Sequence, residues 1–98
     1  MRVVWSPLAV ERLRAIAQEI AADRPAVAKR WVRAIFARVH QLRKYPQSGR
    51  IAPDLEQPAV RQLPYPPYRI IYRVEQSRIV VLTVRHGREE DLDPTTQL

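Results

Sequence analysis

The chain has 98 residues, 46% of them hydrophobic, with 17 Lys+Arg against 10 Asp+Glu and a formal net charge of +7. Such a length supports a single domain with a modest core, and the hydrophobic content excludes a chain disordered by composition. The lack of cysteine excludes a disulfide framework, a cysteine-based zinc site and a thiol nucleophile.

Residues 2–5 (RVVW) are β-branched and aromatic and suit an opening strand. Ser6-Pro7 then reads as a helix start, with Ser6 as N-cap and Pro7 at the first helical position. From Pro7 to Ala22 the apolar positions Ala9, Leu13, Ile16, Ala17 and Ile20 recur at helical spacing, with Glu11, Arg14 and Gln18 opposite. Asp23-Arg24-Pro25 interrupts, because the residue before a proline avoids helical geometry. A second helix is expected from Pro25 to about Tyr45, with Ala28, Trp31, Val32, Ile35, Val39 and Leu42 inward and Arg30, Arg33, Gln41 and Lys44 outward. The short break makes the pair a helical hairpin.

Residues 46–60 contain three prolines and a glycine and read as a long loop. The period then changes to two. Residues 60–65 make a short strand that Pro64 confines to an edge or a bulge. Pro66-Pro67 kinks the chain before a strand at 68–74, which places Tyr68, Ile70, Tyr72 and Val74 on one face and Arg69, Ile71 and Arg73 on the other. Glu75-Gln76-Ser77 has hairpin length, and 78–86 is the most apolar strand, expected at the sheet centre. This β-α-α-β-β-β order predicts an α+β sandwich with both helices on one face of a small, mainly antiparallel sheet.

Charge is unevenly spread. Arg24 to Arg50 holds eight basic residues and no acid, and Ala59 to Arg88 holds six arginines and one acid, Glu75. Residues 89–98 hold Glu89, Glu90, Asp91 and Asp93 and no base. The excess points to an acidic partner, nucleic acid or protein, although any solvated helix needs a polar face. No run approaches the roughly 18 apolar residues of a membrane span. The N-terminal stretch lacks the apolar region and cleavage site of a secretory signal, so a cytoplasmic protein without membrane contact is expected.

Phosphate-cradling glycine motifs are absent, and His40 and His86 without cysteine argue against bound zinc, so no metal or cofactor is expected. Chemistry concentrates where Arg50, Arg61, Arg69, Arg73, Arg85, His86 and Arg88 converge on the sheet. Arginine forks suit phosphate or carboxylate, and histidine suits proton transfer near neutral pH. Metal-free RNA cleavage would need a base, an acid and a cation. His86 supplies one proton-transfer group, but the second has only Asp54 or Glu56 in the long loop, or Tyr68 and Tyr72, whose face suits the core.

Taken together these segments resemble the RelE/ParE superfamily of small bacterial toxins from type II toxin–antitoxin modules. The resemblance rests on Trp5-Ser6-Pro7 with Ala9, Leu13-Arg14 with Ile16, and Asp23-Arg24-Pro25 with Ala28 and Trp31. It continues through Leu42, Pro46, Gly49-Arg50, Arg61, Tyr68-Arg69-Ile70-Ile71-Tyr72-Arg73 and Val84-Arg85-His86-Gly87-Arg88, spanning about residues 3–88. It implies one toxin domain over 1–88 followed by an acidic tail, 89–98. It also implies neutralisation by a cognate antitoxin whose C-terminal segment wraps the toxin in a hetero-oligomer.

RelE-like members cleave mRNA on the ribosome, whereas ParE-like members poison DNA gyrase without a known catalytic centre. The ending Arg85-His86-Gly87-Arg88 resembles the ParE-like branch, and the shortage of lysine departs from RelE-like nucleases. The resemblance therefore favours a gyrase-directed toxin with Arg50, Arg61, Arg69, Arg73, Arg85, His86 and Arg88 as contacts for gyrase, DNA or antitoxin. The alternative is a metal-independent endoribonuclease using His86, Arg61, Arg69 and Glu56. A weaker alternative is a member that binds antitoxin without toxicity.

Overall fold

A computed structural model describes residues 1–52 and 59–87. The acidic tail 89–98 and the positions Asp54, Glu56 and Arg88 lie outside the described residues. Strand β1 (Arg2–Trp5) leads into helix α1 (Pro7–Asp23) and helix α2 (Pro25–His40), and the sheet continues with β2 (Arg50–Ile51), β3 (Val60–Tyr65), β4 (Tyr68–Val74) and β5 (Arg78–His86). The strand order is β1-β5-β4-β3-β2, with β1 parallel to β5 and every other pair antiparallel. This is the expected α+β architecture with one added edge strand.

The helix boundaries follow local chemistry. Ser6 has extended geometry and its Oγ accepts the Ala9 N–H at 3.0 Å, filling one of the donors a helix start leaves open. The same Oγ donates to the Leu82 carbonyl at 2.9 Å, while the Ser6 N–H donates to the Val81 carbonyl. One residue thus caps α1 and fastens it to β5, which lies between β1 and β4 rather than at the sheet centre as expected, the centre being β4. Arg24, outside helical geometry, separates the helices, and Pro25 opens α2.

The second helix is shorter than expected. Regular α geometry ends at His40, and Gln41–Arg43 tightens into a 3₁₀ turn that drives Leu42 fully into the core. Pro46 disfavours helical geometry at Tyr45, so the last turn closes on itself, with Tyr45 N–H donating to the Gln41 carbonyl.

The helices cover one face of the sheet. Leu13, Ile16, Trp31, Ile35 and Val39 meet Leu63, Ile70, Tyr72, Ile79, Val81 and Val84 in the main core. A smaller cluster of Ala52, Val60 and Ile71, joined by Leu82, occupies the other face. Pro64 sits where β3 pairs only with β4, since β2 reaches no further than Arg61 and Gln62, so its missing N–H breaks no ladder.

Strict alternation fails once. Opposite Ile71–Tyr72, β5 carries one extra residue, Leu82, so that Tyr72 pairs with Val81 while Ile71 pairs with Thr83. This bulge changes the parity of β5 and lets Ile79, Val81 and Val84 all face the helices. Among the described residues no helix is long and apolar enough to cross a membrane.

Because Ser6 Oγ serves both the cap and the bulge, Ser6→Ala should cost about 1–2 kcal/mol of stability. Urea unfolding followed by circular dichroism checks this, and a change below the error of the midpoint would remove Ser6 as the fastening point.

Candidate binding surface

Cross-strand partners share a face, so the register assigns each arginine a side. Arg50 pairs with Gln62, Pro64 with Arg69, and Arg69 with Arg85, which puts Arg50, Gln62, Arg69 and Arg85 together on the face away from the helices. Arg73 shares that face, opposite Val60 and Val80. Arg61 pairs with Tyr72 and His86 with Tyr68, so both belong to the helix side. Seven residues expected to converge are therefore divided, with Arg88 outside the described residues.

On the helix side, Arg61 supports the loop before β2. Its Nη1 donates to the Gly49 carbonyl at 2.8 Å, beside the fully buried phenol of Tyr72. That phenol donates to the Pro46 carbonyl and accepts the Gly49 N–H, both at 2.9 Å. A Cβ at position 49 would lie 2.6 Å from both the Gln62 carbonyl and the Tyr72 hydroxyl, so only glycine lets the backbone pass this close. Burial pushes the Tyr72 phenol above its ordinary range, against the opposing influence of the Gly49 N–H and the Arg61 charge.

His86 ends β5 with its ring edge-on to Tyr68, centroids 5.6 Å apart. Tyr68 in turn stands against Trp31, and Arg12 and Glu19 of α1 line the same recess as His86. Burial raises the Tyr68 phenol, with the Glu19 charge adding to it. His86 and Arg69 lie on opposite sides of the sheet, and four residues of β4, roughly 13 Å, separate the rows that hold His86 and Arg61. The base, clamp and acid of a nuclease are not assembled among the described residues.

Arg73 is committed near the β4–β5 hairpin. Its Nε donates to Glu75 at 3.0 Å, and Arg78 Nε donates to the other oxygen of that carboxylate at 2.6 Å. The two arginines, Arg78 foremost, hold the Glu75 carboxyl below its usual range.

The outer face also carries Arg50, Arg69 and Arg85. Arg69 is only 4% exposed, and its Nη1 donates to Gln62 Oε1 at 2.7 Å. Arg50, exposed on β2, stands with Arg69 over a depression of about 240 Å³ closed by Gln62, Gly87 and prolines of the β3–β4 turn. Gln62 was not among the residues singled out from sequence, because only the β3–β4 register, which pairs it with Ile71, brings it within reach of Arg69. Among the described residues no group of three or more His, Cys, Asp or Glu could hold a metal.

Removing the Tyr72 hydroxyl strands the Gly49 N–H and the Pro46 carbonyl, so Tyr72→Phe should lose about 1–3 kcal/mol at neutral pH. The raised phenol contributes stability that is complete below pH ~10 and lost as pH rises through the elevated folded-state value. Urea midpoints measured from about pH 8 to pH 11 should fall more steeply for the native chain than for Tyr72→Phe; parallel curves would refute the role assigned to this phenol.

Comparison with known proteins places this geometry in context. A family model described as the ParE toxin of the type II toxin–antitoxin system parDE matches residues 3–91. Among solved structures, the chromosomal ParDE toxin–antitoxin system from P. aeruginosa contains a chain that superposes with a TM-score of 0.75 at 27% sequence identity. The match covers 88% of this chain and 95% of that one. No curated protein matches.

Proposed function

The chain belongs to the ParE toxin family of type II toxin–antitoxin systems, and from that premise we propose that it blocks replication by poisoning DNA gyrase until a cognate antitoxin neutralises it. Its family makes it the toxin component of such a system, and the ParDE structure it resembles implies an antitoxin partner. The target is the further step.

One observation carries the gyrase reading. Among the described residues, the arginines of the outer face have no histidine beside them, because His86 stands on the helix side against Tyr68. An arginine face without a proton-transfer group suits binding and charge neutralisation, whereas metal-free RNA cleavage needs both a base and an acid at the phosphate. In this reading Arg50, Arg69 and Arg85, together with Arg88, contact gyrase, its DNA or acidic antitoxin side chains. Arg61, Arg73 and His86 act through the loop, the hairpin and the strand end that they hold. The protein works in the cytoplasm, where its target is, and uses no cofactor.

Toxin incubated with supercoiled plasmid, gyrase and ATP should accumulate linear, gyrase-linked DNA, while mRNA in a translating extract stays intact. Codon-phased mRNA cleavage in the extract would transfer the chain to the nuclease reading, and silence in both assays with tight antitoxin binding would make it a non-toxic member. His86→Ala separates the mechanisms further. A positioning histidine should lose about tenfold potency or less, whereas loss of a general acid or base costs about 10²–10⁴ in rate.

A further inference from the structure

We propose that the outward ridge of α2 and of the 3₁₀ turn that follows it is a track for the phosphates of double-stranded DNA. This rests on the gyrase-directed reading, since it names the part of a DNA-bound target that the toxin holds.

The ridge carries charge of one sign. Lys29, Arg30 and Arg33 on α2, with Arg43 and Lys44 at its far end, are all exposed. The helical period brings positions 30, 33, 37, 40 and 44 to one side, and Lys29 and Arg43 flank that line. Among the described residues, none of the Lys29, Arg30, Arg33 and Arg43 side chains makes a hydrogen bond or an ion pair. Arg38, on the flank of the same helix, is bonded instead to the Pro64 carbonyl.

Such a ridge works against its own helix. Cations three or four residues apart repel, and acids at those spacings are the ordinary remedy. Helix α1 has it, with Glu11 and Glu19 beside Arg12 and Arg14 on its exposed side. Residues 25–44 contain no acid, not even in the first turn of α2, where one would meet the helix dipole. Arg24 at the N-cap makes no side-chain bond to the open N–H groups there. Both features add positive potential at the end that bears Lys29 and Arg30.

The shape of the array favours nucleic acid over an acidic protein segment. From Lys29 to Arg43 the cations follow one rod for roughly 21 Å. A DNA strand brings one phosphate per ~3.4 Å of axis, so several can meet the row. Lys29 and Arg33 also border an apolar groove against α1, walled by Ala28 and Val32, but Arg30 and Arg43 stand outside it. A segment seated in that groove leaves half of the row unused. Between the cations the ridge shows Ala37, His40 and Gln41, none of them the large apolar anchor on which protein partners depend. Interfaces with DNA are instead polar and strongly cationic.

The test measures binding of the full-length chain to a short duplex of arbitrary sequence by fluorescence anisotropy at several salt concentrations. Each phosphate contact removed lowers the slope of log K against log salt by about 0.9. Arg30→Gln and Arg33→Gln, exposed changes to another good helix former, should each lower it by that amount. Arg33→Lys keeps the charge and should keep the slope. Arg14→Gln takes the same charge from the exposed side of α1 and should leave the slope unchanged. No duplex binding at low salt overturns the track, as does an unchanged slope in either glutamine variant of α2. An equal fall in Arg14→Gln overturns it too, because the attraction is then diffuse. Loss of poly-glutamate binding in Arg33→Gln with duplex binding retained overturns it in favour of an acidic protein segment. Gyrase cleavage by the unsubstituted toxin is read in parallel. If that cleavage is absent while the slope falls as expected, the gyrase reading fails and the track stands; if cleavage occurs while the slope is unchanged, the track alone fails.

Discussion

A single phenol decides how one edge of this molecule is built. The hydroxyl of Tyr72, in the middle of the sheet and closed off from water, must find partners there, and it finds them in the backbone of Pro46 and Gly49. Those two bonds draw the chain leaving the second helix under the sheet edge, where Gly49 alone has room to pass. Arg61 completes the arrangement by holding the Gly49 carbonyl. The short strand Arg50–Ile51 then falls into register with β3, and Arg50 arrives beside Gln62 and Arg69. The position of Arg50, an exposed cation of the outer face, thus follows from a buried hydrogen-bonding requirement on the other side of the sheet.

The arginine excess consequently has two meanings. Some arginines are fasteners: Arg61 on a loop carbonyl, Arg38 on the Pro64 carbonyl, and Arg73 and Arg78 on Glu75. Long stems that cover apolar surface while the fork bonds to backbone suit arginine better than lysine, which offers a point charge on a flexible chain. Others, Arg50 and Arg69 among them, stand on the outer face that we propose as the partner surface. Net charge adds both kinds together and separates neither.

Much of this was legible from the residue order. Ser6-Pro7 and Asp23-Arg24-Pro25 mark helix boundaries through capping and through proline sterics, which act locally and therefore leave local traces. The period-two run at 68–74 correctly placed Tyr68, Ile70, Tyr72 and Val74 toward the helices and Arg69, Ile71 and Arg73 away from them. The strand at Arg50–Ile51 left no such trace, because two residues carry no period and its cause lies at Tyr72, over twenty residues away. The expected gathering of Arg61 and His86 with the other arginines failed for a related reason. Arg61 lies one residue out of phase with the outer face, and His86 lies beyond an irregularity in β5 that composition does not announce.

That irregularity reaches beyond packing. Leu82 is one residue more than the pairing with β4 requires, and everything after it in β5 is turned over. Were the strand regular, His86 would stand beside Arg69 and its neighbours, with Arg85 under α1, and an imidazole would join a row of guanidinium groups. Whether the extra residue is taken up in a bulge, as here, or by sliding the register decides which of Arg85 and His86 shares a face with Arg69, without altering any residue of the strand. For proteins on this scaffold, strand length is as much a chemical variable as side-chain identity, and insertions of one residue deserve to be read as changes of function.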